Sequence, residues 1–329
     1  MRTLAEIGEF GLIDRLNRLL PTSPAVVQGI GDDCAIVRIF DKLMAVSTDM
    51  SIQDVHFRLE YTSADHIGWK AAASSLSDLA AMGATPMFAL VSLSCPPEME
   101  VHFIENLYHG ISGVLSKYGV IIIGGDTTGG DKLILDVIVI GAIRGNRFLR
   151  RSGALDGDVL AVTGTPGIAA AGLHALNHGH DAPHLAARHF QPHPRVPEGH
   201  WLCLNDAINS AIDVSDGLFQ DAGHLSRASG LGVDIQTSAL KPDGELEEYC
   251  AVHDLDPIRF MLTGGEDYEL LFSITRDQHE ETLDAFHQEF RTPVHVIGEF
   301  TDAWEGVRIN GEEASMDGFT HFKTNRLDR

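Results

Sequence analysis

The sequence predicts an α+β chain of two domains, and three observations carry that prediction. Helix and strand periodicities alternate along both halves. The 329 residues are about twice a common domain length, and a Gly- and Arg-rich stretch at 145–158 interrupts the pattern near the middle. An N-terminal αβ domain is therefore expected over residues 1–148 and a C-terminal αβ domain over 149–329.

Residues 5–20 carry Ile7, Phe10, Ile13, Leu16 and Leu20 near the helical period and stop at Pro21, which fits an amphipathic helix. A strand is expected at 43–48, ending in Asp49. Ser63 or Asp65 can cap a long helix that runs to about Met82 and breaks at Gly83 and Pro86. A further helix fits 98–118, ended by Gly119. Two β-branched runs, 119–126 and 133–143, flank the turn-rich TTGGDK and read as a central hairpin or meander. The second domain opens with a strand at 159–164. Strands recur at 210–214, 232–236, 268–274 and 294–298, with a helix at 217–228. No internal repeat is visible.

Charge narrows the partners. Acidic residues number 47 against 24 basic ones, for a formal net charge of −23, and only six lysines are present. Nucleic acid is excluded as a partner, because a polyanion binder needs a basic surface. No window approaches the roughly 20 apolar residues of a membrane span, and the start lacks the apolar core of a signal peptide, so a cytoplasmic protein without a membrane partner is expected. Cys34, Cys95, Cys203 and Cys250 are far apart and read as reduced thiols. Seven of the 17 histidines fall between His174 and His200. His174 and His178 stand one helical turn apart, a spacing open to zinc. Structural zinc favours Cys and closed ligand sets, however, so a solvated, Pro-rich helix–loop surface is the expectation.

The chemistry lies in a set of aspartates beside glycines or at element boundaries: Asp32 and Asp33 in GIGDDCAIV, Asp49 in STDMS, Asp78 in SLSDLAAMGATP, Asp126 in GGDTTGG, and Asp213 and Asp216 in AIDVSDGL. One such aspartate is more often a turn or cap residue. Repeated at the ends of strands, where ligands of α/β proteins bind, they can converge on one cleft. On a helical wheel Asp78 lies opposite an apolar stripe and shares its face with Ala71, Ser74, Ser75 and Met82, small enough in the main for a ligand to approach. Hard carboxylates select Mg²⁺, Mn²⁺ or Ca²⁺ over zinc. EF-hand spacing is missing, and Mg²⁺ combines a few carboxylates with phosphate oxygens, which lets an acidic protein hold a nucleotide.

Neither GxxxxGK[ST] nor a kinase-type GxGxxG occurs. Phosphate cradles are therefore sought at Gly124-Gly125-Asp126, at the Ser215-Asp216-Gly217 turn, at Arg150 and Arg151, and more weakly at the GTPG turn of 164–167. In MLTGGEDYELLFSI at 261–274, Glu266 or Asp267 can face a cleft. His56 in DVHF can touch an anion or a substrate ring, and Phe319 in DGFTHF can be core or can stack on a substrate.

Taken in order over residues 29–271, GIGDDCA, STD, SDLAAMGATP, GGDTT, RSG, AIDVSDGL and TGGEDYEL closely resemble the thiamine-monophosphate kinases. GDD and GGD are shared with the wider superfamily of aminoimidazole ribonucleotide synthetase, selenophosphate synthetase and the hydrogenase-maturation synthetase. The resemblance implies a two-domain aminoimidazole ribonucleotide synthetase-like fold, a homodimer formed through the N-terminal sheets, and ATP in a cleft between the domains. It implies ATP-dependent phosphorylation of thiamine monophosphate to thiamine diphosphate. By motif position, several Mg²⁺ ions would be surrounded by Asp33, Ser47, Thr48, Asp49, Asp78, Asp126 and Asp213, with Asp216 near a further ion. Asp49, Asp126 and Asp213 would be central to catalysis. Gly125, Asp126, Arg151, Ser215 and, at the base, Tyr108 would meet ATP, and His56, Glu266 and Phe319 would contact the thiamine phosphate. Direct in-line transfer is expected, because an ionised phosphate acceptor needs no strong general base. Two other readings stand beside this one. Another synthetase of the superfamily is one, although the first cysteine, Cys34, lies inside GDDCA and the chain ends Asn325-Arg326-Leu327-Asp328-Arg329 without the C-terminal cysteine of the hydrogenase-maturation protein. A non-catalytic metal or nucleotide sensor is the other.

Overall fold

The computed structural model describes residues 3–316. Phe319 lies outside the described residues.

The first part of the chain builds a six-stranded sheet from α1 (Leu4–Asn17), β1 (Val26–Gln28), β2 (Ala35–Ile39), β3 (Lys42–Ile52), α2 (Ala64–Ala81), β4 (Thr85–Cys95), α3 (Val101–Lys117), β5 (Ile121–Gly129) and β6 (Ile134–Ala142), with strand order β1-β2-β3-β6-β4-β5. The expected helices at 63–82 and 98–118 are α2 and α3. The first helix ends at Asn17, short of Pro21, and is interrupted by non-helical backbone at Gly8.

The hairpin or meander expected over 119–143 does not form. β6 inserts between β3 and β4, antiparallel to both, while β5 lies at the edge and runs parallel to β4. A parallel pair needs a crossover, and α3 supplies it. β4 is not expected from the sequence; its buried Ala89, Val91 and Leu93 alternate with less buried neighbours. That period is hidden in sequence because Phe88 and Leu90 make the second face apolar too.

The second sheet is built from β7 (Val159–Thr163), α4 (Ile168–His178), α5 (Pro183–Phe190), α6 (Val196–Leu204), β8 (Ile208–Asp213), α7 (Leu218–Ser229), β9 (Gly232–Ile235), α8 (Gly244–His253), α9 (Pro257–Thr263), β10 (Leu270–Ile274), α10 (His279–Glu289), β11 (Val294–Thr301), β12 (Gly306–Ile309) and β13 (Glu312–Glu313). Its order is β13-β12-β9-β11-β7-β10-β8. β7 and β10 are buried at every position. Val159, Ala161, Leu270 and Phe272 face a core continuous with that of the first sheet. Leu160, Val162 and Leu271 face a second core with α4 and α7. Among the described residues no helix is long and apolar enough to cross a membrane.

Between the two sheets runs α2, buried along nearly all of its length. A helix surrounded on all sides cannot carry bulky polar residues, and α2 is mostly Ala, Ser and Leu. Glycines bring its neighbour close: a Cβ at Gly68 of α2 would sit 2.0 Å from the Leu107 carbonyl oxygen, and one at Gly110 of α3 would sit 1.9 Å from that of Asp65. The segment 174–200 is not the solvated connection expected from its composition. It forms α5 and α6, buries His189 to 3% exposure, and docks on the first sheet's helices through Trp69 Nε1 donating to the Pro192 carbonyl and Tyr118 donating to that of Pro194.

Close approach of α2 and α3 gives a paired test. Gly110→Ala places a methyl group against backbone and should lower stability by about 1–3 kcal/mol or more. Gly113→Ala, one turn away with its nearest neighbour 3.6 Å off on the Trp69 ring, should be neutral or gain up to about 1 kcal/mol of helix propensity. Urea unfolding measures both, and coincident midpoints would refute the packing argument.

Candidate active site

Asp33 precedes β2, Asp78 lies on α2, and Asp213 ends β8. The fold brings carboxylate oxygens of these three within 4.8 Å of one another. Asp33 and Asp213 are almost fully buried. Loss of water, reinforced by the Asp33 charge, pushes the Asp213 carboxyl up to about 8. Burial, then the charges of Asp213 and Asp49, pushes Asp78 well above the usual carboxylate range. Arg151 offers one counter-charge: Nη2 and Nε donate to Asp33 Oδ1 at 2.6 and 3.1 Å, and its backbone N–H donates to Asp32 Oδ1. Ser47 donates to Asp78 Oδ2. The other oxygen of Asp33, Oδ2, is buried without a hydrogen-bond partner among the described residues. An orphaned carboxylate oxygen among hard oxygen donors fits a divalent cation such as Mg²⁺.

Asp49 lies beside this cage, and its charge acts on Asp78, Asp213 and Asp216. Side chains alternate along β3, so Thr48 turns to the opposite face, where its hydroxyl donates to Asp136 of β6. Asp126 stands outside the group of three. It is exposed on β5, and its Oδ1 accepts from the Thr127 N–H at 2.9 Å. Gly125 lies inside β5 and not in the turn expected at Gly124-Gly125-Asp126; its φ is +153° and a Cβ would lie 1.8 Å from the Val91 carbonyl oxygen, so only glycine fits there. Tyr108 is half-buried against the core on α3, and burial raises its hydroxyl.

At the Ser215-Asp216-Gly217 turn, the N–H groups of Asp216 and Gly217 are already taken by Asp221 Oδ2. That leaves Ser215 as the turn's candidate for ATP, with its carbonyl accepting from the Glu266 N–H at 2.9 Å. Asp216 forms a second close group with Asp221 and His224, and burial lifts it to about 6. Asp221 and His224 are not singled out by any sequence motif, although both fall on the expected helix 217–228 one turn apart. The GTPG turn is no anion site either. Asp267 fills it, accepting from the Gly167 and Ala169 N–H groups at 2.6 and 3.0 Å. Of the acidic pair, Glu266 faces the cleft and Asp267 caps α4.

A cleft adjoins the cage, lined by Asp49, His56, Lys70, His189, Glu266 and Tyr268 among others. Lys70 Nζ lies 2.7 Å from Glu266 Oε2 and 3.3 Å from His189 Nε2. Burial alone would lift the Glu266 carboxyl, but the Lys70 cation outweighs it and holds the group below the ordinary glutamate range. Burial and the same cation push His189 down to about 3, so the ring is neutral. As acceptor from Lys70, His189 Nε2 leaves the ring proton on Nδ1, 3.6 Å from Glu266 Oε2. The Ile52 N–H donates to His56 Nδ1 at 3.0 Å. Glu266 and Tyr268 hold φ of +65° and +53°, a left-handed strain concentrated in the GGEDY loop. Lys70 and His189 were missing from the sequence reading. Lys70 left a signal, being the one lysine inside an otherwise Ala- and Ser-rich helix.

Residues 31–143 match the AIR synthase related protein N-terminal domain, and residues 156–310 match the C-terminal domain of the same class. Fold and site thus define an AIR synthase related protein. A thiamine-monophosphate kinase of Salmonella typhimurium is 38% identical over 329 residues, covering 96% of this chain and 99% of its own. That of Aquifex aeolicus is 34% identical over 324 residues, covering 97% and 99%. The solved structure of AaThiL complexed with AMPPCP and TMP matches with a TM-score of 0.87 at 33% identity, covering 98% of this chain and 99% of that one. The chain belongs to the thiamine-monophosphate kinase family. HypE of E. coli, a hydrogenase maturation protein, shares the fold with a TM-score of 0.68 at 21% identity over 95% of this chain and 96% of its own.

The Lys70–Glu266 pair has a pH signature. A carboxyl depressed in the folded state stabilises the protein above its unfolded pKa, and that contribution fades as pH falls through the folded value. Lys70→Met leaves Glu266 buried without its cation and should destabilise the protein by about 3–5 kcal/mol at pH 7. The gap to the parent protein should narrow as pH falls from the variant's lifted Glu266 value, above the ordinary 4.5, to the depressed value in the parent. Denaturant titrations from pH 7 to 3.5 measure it. A gap that is constant or widens on acidification would contradict the pairing.

Proposed function

We propose that the chain transfers the γ-phosphate of ATP to thiamine monophosphate, giving thiamine diphosphate and ADP. One observation carries the reading: the buried carboxylate cage and the Lys70–Glu266 cleft share Asp49, so a cation-dependent phosphate site and an acceptor site are contiguous. The relative complexed with AMPPCP and TMP supports the same pairing of ligands.

Asp33, Asp78 and Asp213 would hold Mg²⁺, with Ser47 and Asp49 beside them, Asp126 toward the nucleotide and Asp216 serving a further ion, whereas the Thr48 hydroxyl, expected from its motif to join them, is turned to Asp136 on the opposite face and is left out of the set. Bound there, Mg²⁺ supplies the positive charge that two polyanionic substrates need in order to approach. Gly125, Asp126, Arg151, Ser215 and Tyr108 are assigned to ATP, and His56, Glu266 and Phe319 to the acceptor. Arg151 keeps its guanidinium at the cage through Asp33 and presents a permanent cation to phosphate. Lys70 keeps Glu266 ionised. The acceptor phosphate has a second pKa of roughly 6, so its oxygen attacks without a general base and no phosphoenzyme forms. Positioning and electrostatics do the work.

The homodimer belongs to the proposal as well. Ile121 and Ile123 on edge strand β5 are 63% and 55% exposed, an apolar surface suited to pairing of the first sheets. Residues 1–148 would then bind metal and ATP and dimerise, and residues 149–329 would close the cleft. The four free cysteines are consistent with the cytoplasm as the proposed compartment.

Release of ADP from ATP and Mg²⁺ should depend on thiamine monophosphate, and Asp49→Asn should lower kcat by about 100-fold or more with the fold intact. ADP release indifferent to thiamine monophosphate, or near-native turnover in the variant, would overturn the reading. Ile121→Glu combined with Ile123→Glu should convert the dimer to monomers in sedimentation equilibrium. A variant that sediments like the parent protein would remove β5 from the interface.

A further inference from the structure

Outside the active-site cleft, four histidines gather around one tyrosine. His174 and His178 lie on the last turns of α4, His180 follows the Gly179 cap, and His253 ends α8. The His174 and His180 Nδ1 atoms lie 2.7 and 2.9 Å from the Tyr249 hydroxyl, and His178 Nδ1 donates to the His174 carbonyl at 2.8 Å. His174 stacks on His178 with ring centroids 4.0 Å apart, and His180 on His253 at 3.8 Å. The two stacks adjoin, His178 and His180 being 5.5 Å apart.

We propose that His174, His178, His180 and His253 form a site for one divalent transition ion of the zinc, nickel or copper class, separate from the carboxylate cage. Donor type argues for that class. Imidazole nitrogen suits these borderline ions, whereas Mg²⁺ demands oxygen. The outer partners argue for it too. A metal-binding imidazole holds its second ring nitrogen against an oxygen, which frees the other nitrogen for the ion. Three of the four rings already have Nδ1 so engaged, and the Tyr249 oxygen, with two lone pairs, can accept from both His174 and His180. His174 and His178 also stand at i and i+4 on one helix face. In the structure the rings are stacked and do not converge on a point. Exposed His178, exchanging its bond to the His174 carbonyl for the ion, and half-buried His253 can turn about their side-chain torsions to bring Nε2 toward the others while the backbone stays in place. Burial first, and then the neighbouring imidazoles, hold His174 and His180 below the ordinary histidine range, which keeps these rings in the neutral form that binds metal.

The test uses the full chain without an affinity tag and in excess Mg²⁺, so that the carboxylates are occupied. Zn²⁺ is titrated calorimetrically, and Co²⁺ is added in parallel and followed by visible absorption. One equivalent of Zn²⁺ is expected, with affinity at least about tenfold weaker when His178→Ala is combined with His253→Ala, and with the cobalt absorption lost. Both side chains are accessible, and unchanged circular dichroism of the metal-free variant verifies its fold. A parent protein that takes up no Zn²⁺ would overturn the proposal. So would a variant that binds Zn²⁺ as the parent does, because the ion would then belong to the carboxylates.

Discussion

Repulsion among carboxylates that water cannot screen is the constraint on which the rest of the site depends. Asp33, Asp78 and Asp213 come from a loop, a helix and a strand, and these elements belong to both sheets. If all were ionised at that separation, each pair would repel by roughly 3.5 kcal/mol at an effective dielectric of 20. Arg151 answers only part of this, since it bonds to Asp33 alone among the three. The remainder is relieved by protonation, toward which burial first and then the neighbouring charges push Asp213 and Asp78, or by a cation. A cage under such strain keeps its geometry only if the surrounding fold is stiff.

Stiffness comes from α2. Its burial between the sheets forces small side chains, and small side chains let α3 approach to glycine distance. Only two of the charged residues on this helix, Lys70 and Asp78, sit in its interior, eight positions and therefore about 12 Å apart. Lys70 serves the acceptor cleft and Asp78 serves the cage. One rigid rod thus fixes the spacing between the proposed acceptor cleft and the proposed cation cage.

Much of this was legible in the sequence, and the omissions have physical reasons. Aspartates at the ends of apolar runs announced the cage because a carboxylate beside a glycine at a strand end has few other uses when it recurs. The hairpin reading of 119–143 failed because strand patterning reports which residues are half-buried and not which strand lies beside which. Insertion of β6 between β3 and β4 is a long-range choice. The helical wheel set Asp78 apart from the apolar stripe of α2, yet it could not show that the opposite face is also enclosed by the second sheet. Lys70 and His189 escaped notice for the reason that makes them useful. Each looks like a surface residue until the docking of α5 on α2 removes the water.

The two halves of the site are charged in different ways, and that difference orders events. In the cleft, Glu266 is matched by Lys70 and His189 is neutral, so apart from Asp49 the proposed acceptor would meet a surface of little net charge and be selected by shape and hydrogen bonds. In the cage, Asp32, Asp33, Asp78 and Asp213 outnumber Arg151. On the proposed assignment a nucleotide finds no net counter-charge there until a cation displaces the protons of Asp78 and Asp213, and the field of the remaining acidic surface opposes it as well. Cation binding must therefore precede or accompany the nucleotide, while the acceptor cleft stays free to form without it. Asp49, shared by both, is where the charge brought into the cage is felt by the cleft.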